Sequence, residues 1–141
     1  GWMMGGGPKI DKKFINKIYQ QINNGSKELN VVDDKIGTPT YTYDFIHNLE
    51  KVVRSGYYGS YNMVCLGNAN RYEVCKEMLM LLNKDKNIKI NKVKSDYFKN
   101  DYFAIRPKSE ALVNKKLELR SLNYMRDWKI CLKEYINKYF I

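Results

Sequence analysis

Few residues in this chain are placed to do chemistry, and most of those gather in one stretch. It reads Val31-Val32-Asp33-Asp34-Lys35-Ile36-Gly37-Thr38-Pro39-Thr40-Tyr41-Thr42. An apolar run ends in two carboxylates, a glycine and a proline set a turn, and β-forming residues follow. A strand that ends in a polar turn ahead of a helix is where α/β proteins place ligand contacts; a junction with no ligand has the same pattern. Arg106 precedes Pro107. An arginine fixed in that way can grip a diphosphate through two parallel N–H···O bonds, or form a structural salt bridge. Gly5-Gly6-Gly7 stands ahead of a helical pattern and could offer backbone N–H groups to a phosphate. Its spacing is neither G-x-G-x-x-G nor a P-loop, and no strand is expected ahead of it. His47 is the only histidine, lies on the polar side of a helical pattern and has no nucleophile near it in sequence. It reads as a solvated side chain. Cys65, Cys75 and Cys131 are isolated and form no C-x-x-C pair, which argues for reduced buried thiols and against a zinc site or a disulfide frame.

These residues need elements to hold them. Asp11 is expected to cap a helix whose Phe14, Ile15, Ile18, Tyr19 and Ile22 share a face, with Gly25 as its stop. Residues 29–32 form a short strand leading into the central turn. From Asp44 a helix carries Phe45, Ile46, Leu49, Val52 and Val53 at 3.6 spacing and ends at Gly56. Residues 63–66 are continuously apolar, as a strand buried on both faces would be. Asn70 and Glu73 approach a capping box, and Tyr72, Cys75, Met78, Leu79 and Leu82 line the helix that follows. Ile88, Ile90 and Val93 suggest another short strand. Residues 94–110 are irregular, and their Tyr97, Phe98, Tyr102 and Phe103 favour an ordered, docked loop. The last helix is expected from about Tyr124 to Tyr139, burying Met125, Trp128, Leu132, Tyr135, Ile136 and Tyr139. The alternation is that of an α/β chain.

Five pieces carry a family resemblance. Asp34 through Thr42, with Asp44 after it, resembles the D-Q-x-G-x-P-T segment of the dTDP-4-dehydrorhamnose reductase family, sugar-nucleotide enzymes of the extended short-chain dehydrogenase/reductase class. Gly1 through Gly7 is similar to the segment after the family's R-T strand. Gly59-Ser60-Tyr61-Asn62 resembles G-x-Y-H, Arg106-Pro107 followed by Leu112 resembles R-P-x-x-S-x-L, and residues 128–135 resemble the closing W-x-x-x-L helix. The resemblance spans essentially the whole chain. It implies an α/β fold: the C-terminal part of a Rossmann-type extended short-chain dehydrogenase/reductase, with its mixed α/β substrate-binding lobe. Residues 1–141 would be the substrate-binding portion of an NAD(P)H-dependent reductase that converts dTDP-4-dehydro-L-rhamnose, or a similar nucleotide-linked 4-keto sugar, to dTDP-L-rhamnose.

The family's cofactor motif and its catalytic Thr, Tyr and Lys precede the matched region. This chain is therefore expected to be a piece of a longer protein, whether cloned, proteolysed or encoded by a truncated reading frame. It should be inactive alone, with no catalytic residue, metal or bound cofactor of its own. Tyr72 and Lys76 have the Tyr-x-x-x-Lys spacing, but Tyr72 belongs to an apolar helix face away from any cofactor signal, and the match is read as coincidence. The resemblance assigns substrate binding to Trp2, whose flat face suits a sugar or base, and to Lys35, Thr38, Thr40 and Arg106. Lys35 stands for the usual glutamine, Asn62 for the usual histidine and Glu110 for the usual serine. Those departures leave the sugar open, and keep a non-catalytic regulatory or interaction module of the same fold as the alternative.

The bulk properties fit. At 141 residues and 44% hydrophobic content the chain suffices for one domain. Its formal charge of +10 comes from 25 basic and 15 acidic residues. The lysines are scattered singly, with no block or motif for nucleic acid, and a basic surface also suits a phosphate-bearing ligand. No apolar run approaches the ~20 residues that cross a bilayer, and no secretory pattern is present. The expectation is a cytoplasmic protein with a nucleotide-sugar ligand and neither nucleic acid nor membrane as partner. Cut through its sheet, it should expose strand edges and form homodimers or aggregates.

Overall fold

The computed structural model describes residues 2–100 and 106–141. The elements run β1 (Trp2–Met4), α1 (Phe14–Asn23), β2 (Glu28–Val32), β3 (Ile36–Gly37), β4 (Pro39–Tyr41), α2 (Thr42–Ser55), β5 (Ala69–Asn70), α3 (Arg71–Leu81), β6 (Lys89–Val93), a 3-10 turn (Ser95–Phe98), α4 (Lys115–Leu119) and α5 (Trp128–Tyr139). Among the described residues the strands form three two-stranded ladders: β1 with β4 and β2 with β6, both parallel, and β3 with β5, antiparallel. In β2, Leu29 and Val31 are buried while Glu28 and Asn30 face outward, the period of two that a half-covered strand requires. Those two meet Val74, Cys75, Met78 and Leu79 of α3 in a core completed by Trp128, Leu132, Tyr135 and Ile136 of α5.

Two helices follow the sequence pattern closely. The α3 start is a full capping box: Asn70 Oδ1 accepts from Glu73 N–H, and Glu73 Oε2 accepts from Asn70 N–H, both at 2.8 Å. In α1, Ile15 and Ile18 are buried, with Phe14, Tyr19 and Ile22 packed beside them. Asp11 is not its N-cap, however. Asp11 Oδ1 accepts Lys13 N–H at 2.7 Å and Oδ2 accepts the Tyr135 hydroxyl at 2.8 Å, so the helix begins beyond it, with Lys13 at the cap position.

The α2 helix departs from expectation. It starts at Thr42 and turns Asp44, Asn48 and Val52 inward, while Ile46 (58% exposed) and Val53 (62%) lie on the surface. The polar face is buried because its atoms are met. Asn48 accepts Tyr124 N–H at 2.6 Å and donates to Leu122 C=O at 3.1 Å. Asp44 is gripped by Arg126, whose Nε donates to Oδ2 at 2.9 Å. Burying polar groups costs little once each is hydrogen-bonded. Gly56 closes the helix in the left-handed conformation, φ +70°.

Met63, Val64 and Cys65 are buried as expected but form no strand. They join no described ladder, and β4 meets them through a side chain, Tyr41 N–H donating to Cys65 Sγ at 3.4 Å. The Asn114 side chain takes the place of a ladder partner, accepting Val64 N–H at 3.0 Å and donating to Val64 C=O at 2.7 Å. The last helix begins at Trp128, not Tyr124, because Tyr124 N–H is committed to Asn48 and Asp127 supplies the cap, accepting Lys129 N–H at 2.8 Å. Tyr139 lies at its rim, and Met125 is buried ahead of it. Tyr97 and Phe98 pack edge to face, and Tyr97 accepts from Asn30, so that part of the long segment is docked. Tyr102 and Phe103 fall outside the described residues.

Candidate functional site

The site is built on β3. Its two residues are flanked on one side by β5, with Ile36 opposite Asn70, and on the other by the incoming segment 106–112. Ile36 N–H donates to Lys108 C=O at 3.0 Å, and Glu110 N–H donates to Ile36 C=O at 2.8 Å. Immediately before β3, Lys35 Nζ donates to the Arg106 carbonyl at 2.7 Å. The central turn and the Arg106-Pro107 segment, 71 residues apart, are thus one local structure.

Trp2 crosses this junction from β1. Its indole lies on Gly37 so closely that a Cβ there would come within 2.3 Å of Cε2. Indole Nε1 donates to Glu110 Oε2 at 2.9 Å. The Arg71 guanidinium, at the start of α3, lies 4.9 Å from the Trp2 ring centroid and 5.2 Å from that of Phe14. Sequence reasoning passed over Arg71, which belongs to no motif, and met Glu110 only as a departure from one. The capping box, which fixes where α3 begins, was the signal that could have placed Arg71 here.

The structure therefore sets Trp2, on Gly37 and Glu110, and Lys35, on the Arg106 backbone, around β3, and places the two threonines differently. Thr38 and Thr40 are fully buried. Thr38 Oγ1 donates to Asn68 Oδ1 at 3.3 Å and accepts Leu112 N–H at 3.3 Å, while Thr40 Oγ1 donates to Thr38 C=O at 3.2 Å. Their hydroxyls brace the turn from inside. The two carboxylates before Lys35 are likewise engaged. Asp33 pairs with Lys94 at 2.9 Å, and Asp34 accepts both the N–H and the hydroxyl of Ser95 at 3.0 Å. Burial pushes the Asp34 carboxyl up, but the two Ser95 donors and the Lys35 charge outweigh it and hold it below the usual range. The cluster offers a flat aromatic ring, guanidinium and ammonium groups and one carboxylate acceptor. It suits binding and orienting an anionic ligand that carries a ring.

The glycine loop does not add a cofactor cradle. A strand does precede it, since β1 ends at Met4, contrary to expectation. But a Cβ at Gly5 would overlap Thr42 Oγ1 at 1.9 Å and one at Gly7 would meet Tyr139 Cδ1 at 2.7 Å, so these glycines let the loop pack against protein. The α1 helix begins only at Phe14 and does not point its N-terminus from this loop. These residues do not fit the diphosphate of a dinucleotide. His47 is exposed, its ring tilted against that of Tyr43 at 4.0 Å between centroids. Tyr72 carries Lys92 Nζ 4.5 Å over its ring. All three cysteines are buried and free.

Away from β3, an apolar groove of about 490 Å³ opens between α2 and residues 57–64, lined by Met3, Phe45, Val52, Tyr57 and Tyr61 among others. Beside it, β1 has one partner strand among the described residues, β4, and its other edge is unpaired. No described helix is long and apolar enough to cross a membrane.

The family model described as the RmlD substrate binding domain matches residues 1–141. No curated protein matches the chain by its sequence. Among solved structures, dTDP-4-dehydrorhamnose reductase from Yersinia enterocolitica superposes with a TM-score of 0.88 at 29% identity, over 99% of this chain and 47% of that one. The orthologue from Clostridium acetobutylicum gives 0.85 at 32% identity, over 98% and 46%. The Bacillus anthracis reductase, solved with NADP, gives 0.80 at 23% identity, over 97% and 45%. The chain spans about half the length of each. The mixed α/β architecture is that of the substrate-binding part of extended short-chain dehydrogenase/reductases.

Proposed function

The chain belongs to the RmlD substrate binding domain family, and from that membership we propose that residues 1–141 are the sugar-nucleotide-binding portion of an NAD(P)H-dependent reductase. Its substrate is dTDP-4-dehydro-L-rhamnose or a closely similar nucleotide-linked 4-keto sugar. The observation that carries this reading is the convergence on β3 of Trp2, through Gly37 and Glu110, and of Lys35, through the Arg106 carbonyl, from three separate parts of the sequence. The exposed part of the Trp2 indole, between Gly37 and Arg71, is the contact surface for the sugar or base. Lys35 and Arg106 supply positive charge to the diphosphate, with the Arg106 guanidinium able to bond it in bidentate fashion. Thr38 and Thr40 position the turn and do not touch ligand. NAD(P)H, the hydride source, and the groups that transfer the proton belong to residues outside this chain, which alone turns over no substrate. The protein works in the cytoplasm.

The apolar groove and the unpaired β1 edge are the surfaces that the cofactor-binding portion covers. Without that cover they promote self-association of the 141-residue chain. Light scattering should show dimers or larger species, and a clean monomer across concentrations would contradict this.

The deciding experiment is calorimetric titration with dTDP-rhamnose, using Trp2→Ala as control, since Trp128 complicates emission. Saturable binding that the variant loses supports the reading. Absence of heat from both this chain and a longer protein that contains it would refute the reading, and tight capture of a protein partner instead would favour a regulatory module.

A further inference from the structure

Outside the β3 site lies a group of buried reactive side chains that sugar-nucleotide binding does not use. Cys65 and Cys131 are each about 1% exposed or less, and their Sγ atoms lie 3.5 Å apart although 66 residues separate them in sequence. Cys131 sits on the first turn of α5 and donates its S–H to Asp44 Oδ2 at 3.3 Å. Tyr41 N–H donates to Cys65 Sγ at 3.4 Å. The third thiol, Cys75, is buried elsewhere and pushed up to about 12 by burial alone.

Two chemistries suit such a pair. The three ligand atoms of Asp44, Cys65 and Cys131 lie within 4.8 Å of one another, as around a soft divalent cation. Both Asp44 oxygens, however, already accept from Arg126, whose charge opposes a cation there. The thiols, by contrast, need only about 1.5 Å of approach to reach the length of a disulfide bond. Cys65 ends a run of residues, 57–65, without helix or strand, whose first six are exposed or half-buried, and an oxidant reaches it only when that run opens. Turned from Asp44 to Cys65, the Cys131 S–H would join Tyr41 N–H in favouring a Cys65 thiolate, against burial.

We propose that Cys65 and Cys131 are a thiol pair that a peroxide-class oxidant converts to an intramolecular disulfide, fastening the segment before β5 to α5. The Cys65 thiolate attacks one peroxide oxygen, forming a sulfenic acid and releasing hydroxide, which takes up the Cys65 proton to leave as water. Cys131 then attacks the Cys65 sulfur, and its own proton leaves with the expelled hydroxide as a second water. Two thiols and one hydrogen peroxide give one disulfide and two waters. The inference is independent of which ligand the β3 site takes.

The test exposes the reduced chain to hydrogen peroxide, quenches, denatures and alkylates. Intact mass should fall by about 2 Da before alkylation, and the alkylated positions should drop from all three cysteines to Cys75 alone, with a peptide joining 65 to 131 after digestion. Closing a loop of 66 residues should also raise the melting temperature, by on the order of 10 °C. Cys75→Ala should still lose the 2 Da, and Cys131→Ala should not. Three alkylated cysteines after oxidation would overturn the proposal, as would added oxygen without a cross-link or a bridge that includes Cys75.

Discussion

Replacing Gly37 by alanine tests whether the indole seat of the candidate site is what the geometry says it is. Gly37 is not among the glycines with positive φ, so alanine brings no backbone strain, and the substitution acts through space alone. The new Cβ would stand 2.3 Å from Trp2 Cε2, and its three nearest neighbours are all indole carbons. To restore ordinary contact the ring must withdraw by at least about 1 Å, which overpacking data place at roughly 1–3 kcal/mol. The move also loosens the Nε1–Glu110 bond, a further ~0.5–1.5 kcal/mol. Together the expected loss is about 1.5–4.5 kcal/mol. At ~2.1 cal/mol/K per residue, unfolding entropy for this chain is about 0.3 kcal/mol/K, so the melting temperature should fall by roughly 5–15 °C. Calorimetry of Gly37→Ala, Trp2→Ala and the double variant closes a cycle. In the Trp2→Ala background the alanine at 37 meets no indole, and its cost should drop below about 0.5 kcal/mol. An equal cost in both backgrounds, or none in the wild type, would refute the steric argument.

Other perturbations reach the supports of the fold. Asn114→Ala strips both partners from the buried Val64 backbone and should cost about 2–4 kcal/mol, with faster hydrogen exchange at the Val64 amide. Asp44→Asn breaks the grip of Arg126. Because the Arg126 side chain is 39% exposed, the loss is about 2–3 kcal/mol rather than the full cost of opening a buried pair, read from urea midpoints. Burial raises the Asp44 carboxyl, yet the Arg126 bonds outweigh this and hold it below its usual range. Its stabilisation is therefore present above the unfolded carboxylate value of about 3.9 and is lost as pH falls through the lower folded value, so Asp44→Asn should lose less stability than wild type between about pH 5 and 2. Asn70→Ala removes half of the α3 capping box and should lower the melting temperature by about 3 °C, from a loss near 1 kcal/mol.

The elements legible in the sequence were those whose cause is local. Asn70 and Glu73 lie three residues apart and fix the start of α3 between them, and the alternation of Leu29 and Val31 needs only its own strand. The D-Q-x-G-x-P-T resemblance likewise led to the turn that the structure places at the centre of the site. What escaped reading depended on distant partners. The inward face of α2 is polar because Arg126, Tyr124 and Leu122, more than 70 residues away, satisfy Asp44 and Asn48. No periodicity of residues 42–55 carries that information, and an apolar-stripe argument places Ile46 and Val53 on the wrong side. Residues 63–65 have the composition of a central strand and the burial of one, but a single side-chain amide stands where a neighbouring strand would. The contact of Trp2 with Glu110 spans 108 positions, and its only trace in the sequence was a carboxylate in place of a serine.

The buried bond from Tyr135 to Asp11 links positions 124 residues apart. It means that the first helix cannot find its final seat until the last one has been synthesised. At ~5–20 residues per second, a ribosome leaves the opening segment waiting for roughly 6–25 s. During that interval Ile15 and Ile18 can meet α3 but lack the Tyr135 and Ile136 side of their core. Folding dominated by such remote closures is slow. Trimming the last dozen residues of this sequence would remove Tyr135 and leave the buried Asp11 carboxylate without that hydroxyl.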